Sequence, residues 1–184
     1  MRLGLSNSNY KIPVLKHEYI SDFTSDNDGW VPSSIQGTLT QTYDQDIPGG
    51  SGGGWMKNVY SQANTGFSGL YKANVLPEGG NYGQHVVCSY KLYLDGDWEG
   101  SDDVNVKFDP DAYQDLFSHQ YQDLPQDTET GARYASGSWW IVGNPPGSWG
   151  RHCNFGFGTN GDDDPGAGAI FWIKDIIIRV YSIT

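Results

Sequence analysis

From Ile20 onward the chain alternates apolar and polar positions with a period of two, the pattern of half-buried β-strands. Ile35, Gly37, Leu39, Gln41 and Tyr43 alternate with Gln36, Thr38, Thr40 and Thr42. Segments 55–61 and 67–75 are further strand candidates. The clearest runs from His85 to Trp98: Val86, Cys88, Tyr90, Leu92, Leu94 and Trp98 form the core set. Val87, Ser89, Lys91, Tyr93, Asp95 and Asp97 form a face for solvent or a ligand. Val104, Val106 and Phe108 predict a short strand, as do 132–142 with Trp139-Trp140, and Cys153, Phe155 and Phe157. The last segment, Ala169 to Tyr181, is a nearly unbroken run of β-branched and aromatic residues. It predicts a strand buried on both faces, with neighbours on each side. Its partner is expected to be the opening segment, Ile20-Ser21-Asp22-Phe23 to Gly29-Trp30, so that both ends of the chain meet in one sheet.

Between these runs lie turn signals. Pro48-Gly49-Gly50-Ser51-Gly52-Gly53-Gly54 reads as a flexible loop and residues 76–81 as a turn. Residues 109–130 read as a long connection with little regular structure, with a helical turn at 111–117 as the alternative; connections of that length are often functional. Residues 1–17 show little alternation and read as an irregular N-terminal arm or tether, leaving 18–184 as one domain. About eight to ten short strands of this kind predict an all-β fold, a two-sheet antiparallel β-sandwich of the jelly-roll type, which brings its terminal strands side by side.

Composition agrees. The chain has 184 residues with 25 Gly, 7 Trp and 12 Tyr, and only 18% charged residues, so the surface is largely hydroxyl, amide and phenol, suited to polyhydroxylated ligands. The net charge of -11 supplies no cationic footprint for nucleic acid. It disfavours anionic membrane surfaces, and no apolar run is long enough to span a bilayer. The opening residues lack a signal core. Cys88 and Cys153 permit one disulfide, but two buried reduced thiols are the favoured reading without a secretion signal.

The ordered motifs carry a resemblance. Asp22-Phe23 through Gly29-Trp30, Trp55 to Val59, Val87 to Tyr93, and Phe171 to Ile176 are similar to the opening, second, central and closing strands of carbohydrate-binding-module and galactose-binding-like jelly rolls. The match covers most of residues 20–184. It implies a sugar-binding β-sandwich with a structural calcium. Thr24 and Lys174 stand where such families usually place acids that contribute to that calcium. The short start also resembles accessory virion proteins of tailed bacteriophages, which often carry such jelly rolls.

Several constellations could carry chemistry. Asp95, Asp97 and Glu99 would share a strand face, and a flanking carboxylate pair is what glycoside hydrolysis needs. Gly96 and Gly100 instead suggest a solvated strand end. An EF-hand beginning at Asp95 would need an acid where Val106 stands. Asp162-Asp163-Asp164 reads as an acidic turn. The best calcium site is Asp26 and Asp28 beside Asp175, if the chain ends pair. His85, Cys88, His152 and Cys153 fit no zinc spacing. No nucleophile elbow and no phosphate-cradling loop are present. Sugar rings stack their C–H faces on Trp and Tyr, which points to Tyr93, Asp97, Trp139 and Trp149 as glycan-binding residues. Core or subunit-interface anchoring is the equal alternative for the aromatics. The expectation is a non-enzymatic, homo-oligomeric virion structural protein, held to other virion proteins through its arm and adhering to glycans. A free module of a secreted polysaccharide-degrading system is the alternative, and a glycoside hydrolase the least favoured.

Overall fold

The computed structural model describes residues 12–33, 39–63, 68–75, 84–96, 98, 104–109, 117–141, 153–157 and 165–183. These form eleven strands: β1 Pro13–Ser21, β2 Val31–Pro32, β3 Leu39–Gln45, β4 Trp55–Tyr60, β5 Ser68–Lys72, β6 Gln84–Asp95, β7 Asn105–Asp109, β8 Phe117–Gln120, β9 Arg133–Ile141, β10 Cys153–Phe157 and β11 Ile170–Ile183. One 3-10 turn covers Tyr121–Asp123. The strands make an antiparallel two-sheet sandwich. One sheet has six strands in the order β3-β4-β11-β6-β9, with β1 also on β11, and the other five in the order β2-β5-β10-β7-β8.

β11 organises the first sheet. Along one edge it pairs with β6; along the other it pairs with β4 through Ile170–Ile173 and then with β1 through Ile176–Ile183. The register against β6 breaks between Lys174 and Ile177, and Asp175 there adopts φ +53°. A bulge adds twist locally, and here it falls where β11 passes from one partner strand to the next. Asp is one of the few side chains that tolerates this left-handed backbone.

The chain ends meet as expected, but earlier in the sequence. Leu15 is opposite Tyr181, and the ladder ends at Ser21 opposite Ile176, just short of Phe23. Residues 13–17, read from the sequence as arm, are therefore in β1, whose register slips between Leu15 and His17. Residues 1–11 lie outside the described residues. The 109–130 connection is more regular than expected: it carries β8 and the 3-10 turn, and residues 110–116 lie outside the described set. The long central strand stops at Asp95. Gly96 turns the chain at φ +87°, and Trp98 makes only an isolated bridge to Pro165.

The inner faces of both sheets bury Phe23, Trp30, Met56, Tyr60, Tyr90, Phe155, Phe157, Phe171 and Ile173. Phe155, Phe157 and Phe171 stack at centroid separations of 5.1 to 5.6 Å, and Tyr90 meets Phe155 edge-on at 4.9 Å. Burying each ring contributes roughly 1.5–3 kcal/mol. Cys88 and Cys153, on opposite sheets, are both buried and are not joined in a disulfide. Burial, then the neighbouring Cys153, pushes the Cys88 thiol well above its ordinary pKa. In the second sheet Gly69 lies opposite Gly156, and a Cβ on Gly69 would stand 2.1 Å from the Phe155 carbonyl oxygen.

Candidate functional site

On the outer side of the six-stranded sheet lies a second, smaller cluster of buried apolar residues, Ile47, Trp55, Ala132 and Trp172, with Tyr93 and Ile170 packed against it. Directly opposed residues of an antiparallel pair project to the same face. Lys57 opposes Trp172, and Trp172 opposes Tyr93, so these three form one row across β4, β11 and β6. Tyr93 meets Trp172 edge-on at 5.5 Å, and the Lys57 ammonium lies 5.3 Å from the Trp172 ring centroid. The Trp172 indole N–H is buried with no hydrogen-bond partner.

The adjacent row forms a cleft. Lys174 opposes Lys91, and Lys91 opposes Tyr134. Trp55 stands beside Lys174, whose ammonium is 5.9 Å from the indole centroid. With neighbouring strands about 4.8 Å apart, the row from Trp55 to Tyr134 spans about 14 Å. The cleft, of about 220 Å³, is lined by these four residues together with Ser51, Asp127, Thr130, Ala132 and Arg133.

Two loops wall it. The first is the glycine segment, which is held rather than slack. Asp46 accepts from the Gly53 amide at 2.7 Å, Asp44 from the Gly54 amide at 3.0 Å, and Lys174 donates to the Gly53 carbonyl at 2.7 Å. Gly52, Gly53 and Gly54 all have positive φ, and a Cβ on Gly53 would come 2.5 Å from the Asp44 carboxylate. The glycines thus serve left-handed backbone and close approach. The second wall, 125–132, is a tight turn in which the Asp127 carboxylate accepts from the Glu129 amide at 2.9 Å and the Gly131 amide donates to the Asp127 carbonyl at 2.8 Å. The Glu129 amide first, then the Thr130 hydroxyl, holds the Asp127 carboxyl below its ordinary pKa, with Lys91 adding a smaller pull.

The cations divide by role. Lys91 pairs with Asp175 at 2.8 Å, both partly exposed. Arg133 opposes the core residue Leu92, and its Nη1 donates to the Gln122 and Leu124 carbonyls. Its guanidinium is therefore committed to bracing the 3-10 turn.

Of the expected glycan residues, the structure brings Tyr93 to this face, beside the cleft. Trp139 pairs with Val86 in β9, but its side chain lies outside the described residues, as do Asp97 and Trp149. The expected calcium set does not converge. Asp26 accepts from the Asp28 amide, Asp28 from the Asp22 amide, and Asp175 pairs with Lys91. Among the described residues no group of three or more His, Cys, Asp or Glu could hold a metal ion. Of the hydrolase candidates, Asp95 accepts from the Gly96 amide at 2.8 Å, while Asp97 and Glu99 lie outside the described residues. Sequence reasoning missed Trp55, Lys91, Asp127, Tyr134 and Lys174 as a group. The one signal available was that Lys91 and Tyr93 fall on the outward set of β6.

No protein-family model and no curated protein matches the chain. Solved structures do match in fold. The xylan-binding domain CBM22-1 of Xyn10C from Paenibacillus barcinonensis superposes with TM-score 0.51 at 14% identity, covering 95% of this chain and 99% of that one. A Stig cyclase, Fisc, from Fischerella sp. TAU, solved with (3Z)-3-(1-methyl-2-pyrrolidinylidene)-3H-indole, superposes with TM-score 0.51 at 11% identity, covering 89% and 96%. The chain therefore has the jelly-roll sandwich fold of carbohydrate-binding modules, a fold that a cyclase also uses.

Proposed function

We propose that this chain is a non-catalytic carbohydrate-binding module that holds a glycan across the outer face of its six-stranded sheet. The observation that carries this reading is the row Trp55–Lys174–Lys91–Tyr134. The exposed Tyr134 ring stands at one end and the rim of Trp55, itself only 7% exposed, at the other, with hydrogen-bonding groups between and around them. Aromatic faces take the C–H faces of sugar rings, and the ammonium, hydroxyl and carboxylate groups address the hydroxyls. The xylan-binding neighbour adds fold-level support only.

The acids of the cleft favour binding over acid catalysis. A general acid at neutral pH needs a raised pKa, whereas the Asp127 carboxyl is held low by its own turn and Asp175 is ion-paired. The fold similarity to a cyclase brings no acid of the required kind into this cleft. Neither setting considered from the sequence, a virion or a secreted degrading system, is favoured by the neighbours; in both, multivalent display would make weak sugar binding effective.

The test is a panel of neutral and acidic polysaccharides, measured by affinity electrophoresis and calorimetry on the intact chain and on Tyr134→Ala. Tyr134 is 47% exposed, so this change should leave the fold intact. The reading expects binding to at least one glycan that falls about tenfold in the variant. Absence of binding across the panel, or equal binding by the variant and the parent, contradicts it.

A further inference from the structure

Resting on that reading, we propose that the glycan is acidic, with its carboxylate taken between the ammonium groups of Lys91 and Lys174. These two lysines are direct cross-strand partners on the same face of the sheet. Like charges so placed repel, and the Asp175 carboxylate on Lys91 and the Gly53 carbonyl on Lys174 offset that repulsion one lysine at a time, with no carboxylate shared by both. The chain carries 22 Asp and Glu against 11 Lys and Arg, which makes a juxtaposed lysine pair the less expected. Lys57, one row away on β4, adds a third ammonium, whose contact here is the Trp172 ring.

The carboxylates at hand leave room for one more. Asp175 bonds Lys91 from one side, through a pair that is half open to water. Asp127 is turned to its own loop amide. Lys174 is held by a neutral carbonyl and an aromatic face. A sugar carboxylate would relieve the repulsion between the pair and gain charge-assisted hydrogen bonds from both. Its pyranose ring would lie toward Tyr134, the exposed aromatic end of the row. The whole-chain charge of -11 repels polyanions, so attraction to one has to come from this site and not from the general surface.

The experiment compares oligogalacturonate, a sulfated galactan and neutral xylo-oligosaccharide by calorimetry at low and high ionic strength. It uses the intact chain, Lys91→Met and Lys174→Met. Lys91 is exposed, so Lys91→Met stays folded even if Lys174→Met disturbs the glycine loop. The result expected is oligogalacturonate binding at least about tenfold tighter than the neutral ligand, weakening with salt and lost in Lys91→Met. Preference for the sulfated galactan overturns the carboxylate assignment. Neutral ligand binding as well or better, with Lys91→Met unaffected, overturns the acidic-glycan inference while leaving the carbohydrate-binding reading in place. No binding of any of the three overturns the acidic-glycan inference, and absence of binding across the wider panel as well overturns both.

Discussion

The Lys174 ammonium donates to the Gly53 carbonyl at 2.7 Å, tying the last strand of the chain to a loop 121 positions earlier. A Cβ on Gly54 would stand 3.0 Å from the same ammonium, and the backbone there has φ +73°, so glycine suits residue 54. Replacing Lys174 by Met keeps the stem and removes the donor. The expected cost is about 1–2 kcal/mol, with faster amide exchange confined to residues 50–54. Denaturant titration and hydrogen exchange check both; unchanged exchange in the loop would show that the lysine does not hold it.

Beneath the opening loop runs a buried relay. The Trp30 indole donates to Ser21 Oγ at 2.9 Å, Ser21 donates to the Tyr19 hydroxyl at 2.8 Å, and Tyr19 donates to the Asp28 carbonyl at 3.1 Å. Trp30 and Ser21 are fully buried. Ser21→Ala leaves an indole N–H without a partner and should cost about 1–3 kcal/mol. Tyr19→Phe should cost less, because Ser21 can still accept from Trp30. Urea midpoints of the two variants check the order.

Gly69 faces Gly156 across β5 and β10 with no room for a methyl group, because the obstruction is backbone. Gly69→Ala should destabilise by more than about 3 kcal/mol, at the upper end for single substitutions. Gly49→Ala, whose Cβ would meet nothing, pays only for its positive φ and should cost about 1 kcal/mol. Equal stability of the two variants would contradict the packing of the second sheet.

Alkaline pH should unfold this protein. Burial raises the pKa of Tyr60, against a smaller opposing effect of its hydrogen bond to Ser68, and burial likewise raises Tyr90 and Tyr121. Cys88 moves in the same direction. In each case the folded state holds its proton longer than the unfolded one. Stability is therefore full below the ordinary values of 9.0 for cysteine and 10.0 for tyrosine, and it falls as pH rises past them. Thermal unfolding from pH 8 to 11 should show a falling midpoint, and Tyr60→Phe should flatten the fall. A midpoint flat to pH 11 would show that these hydroxyls are not buried.

The strands with strong alternation were legible. β6 has opposite faces that differ sharply, because one is packed core and the other is not; β11 was legible from its unbroken apolar run, but its outward residues Ile177 and Arg179 are only part-buried, so it is not buried on both faces as that run implied. β1 was half hidden: Val14, Leu15 and Ile20 are exposed apolar residues, so residues 13–17 carry no inward pattern. They form a strand because β11 outlasts β4 and needs a second partner. β8 is four residues long, too short for a period to register. The glycine loop was misread because composition reports freedom and not restraint; Asp44, Asp46 and Lys174 supply the restraint. The cleft was hidden for a topological reason. Trp55, Lys91, Tyr134 and Lys174 are scattered over 120 residues, and only the register of four non-consecutive strands aligns them. The calcium expectation rested on Asp175 reaching the opening loop, but the bulge gives its carboxylate to Lys91.

The central claim is that a glycan lies on the outer face of the six-stranded sheet, from Tyr134 to the rim of Trp55, which packs with Trp172 in one buried cluster. The most direct test is an indole N–H titration by nitrogen–proton correlation NMR, with each tryptophan signal assigned by substitution. The account predicts that a bound oligosaccharide shifts the Trp55 and Trp172 signals, while Trp30, bonded to Ser21, and Trp98, bonded to the Asp95 and Ile170 carbonyls, stay in place. Shifts confined to other tryptophans, with Trp55 and Trp172 unmoved at saturation, would contradict it.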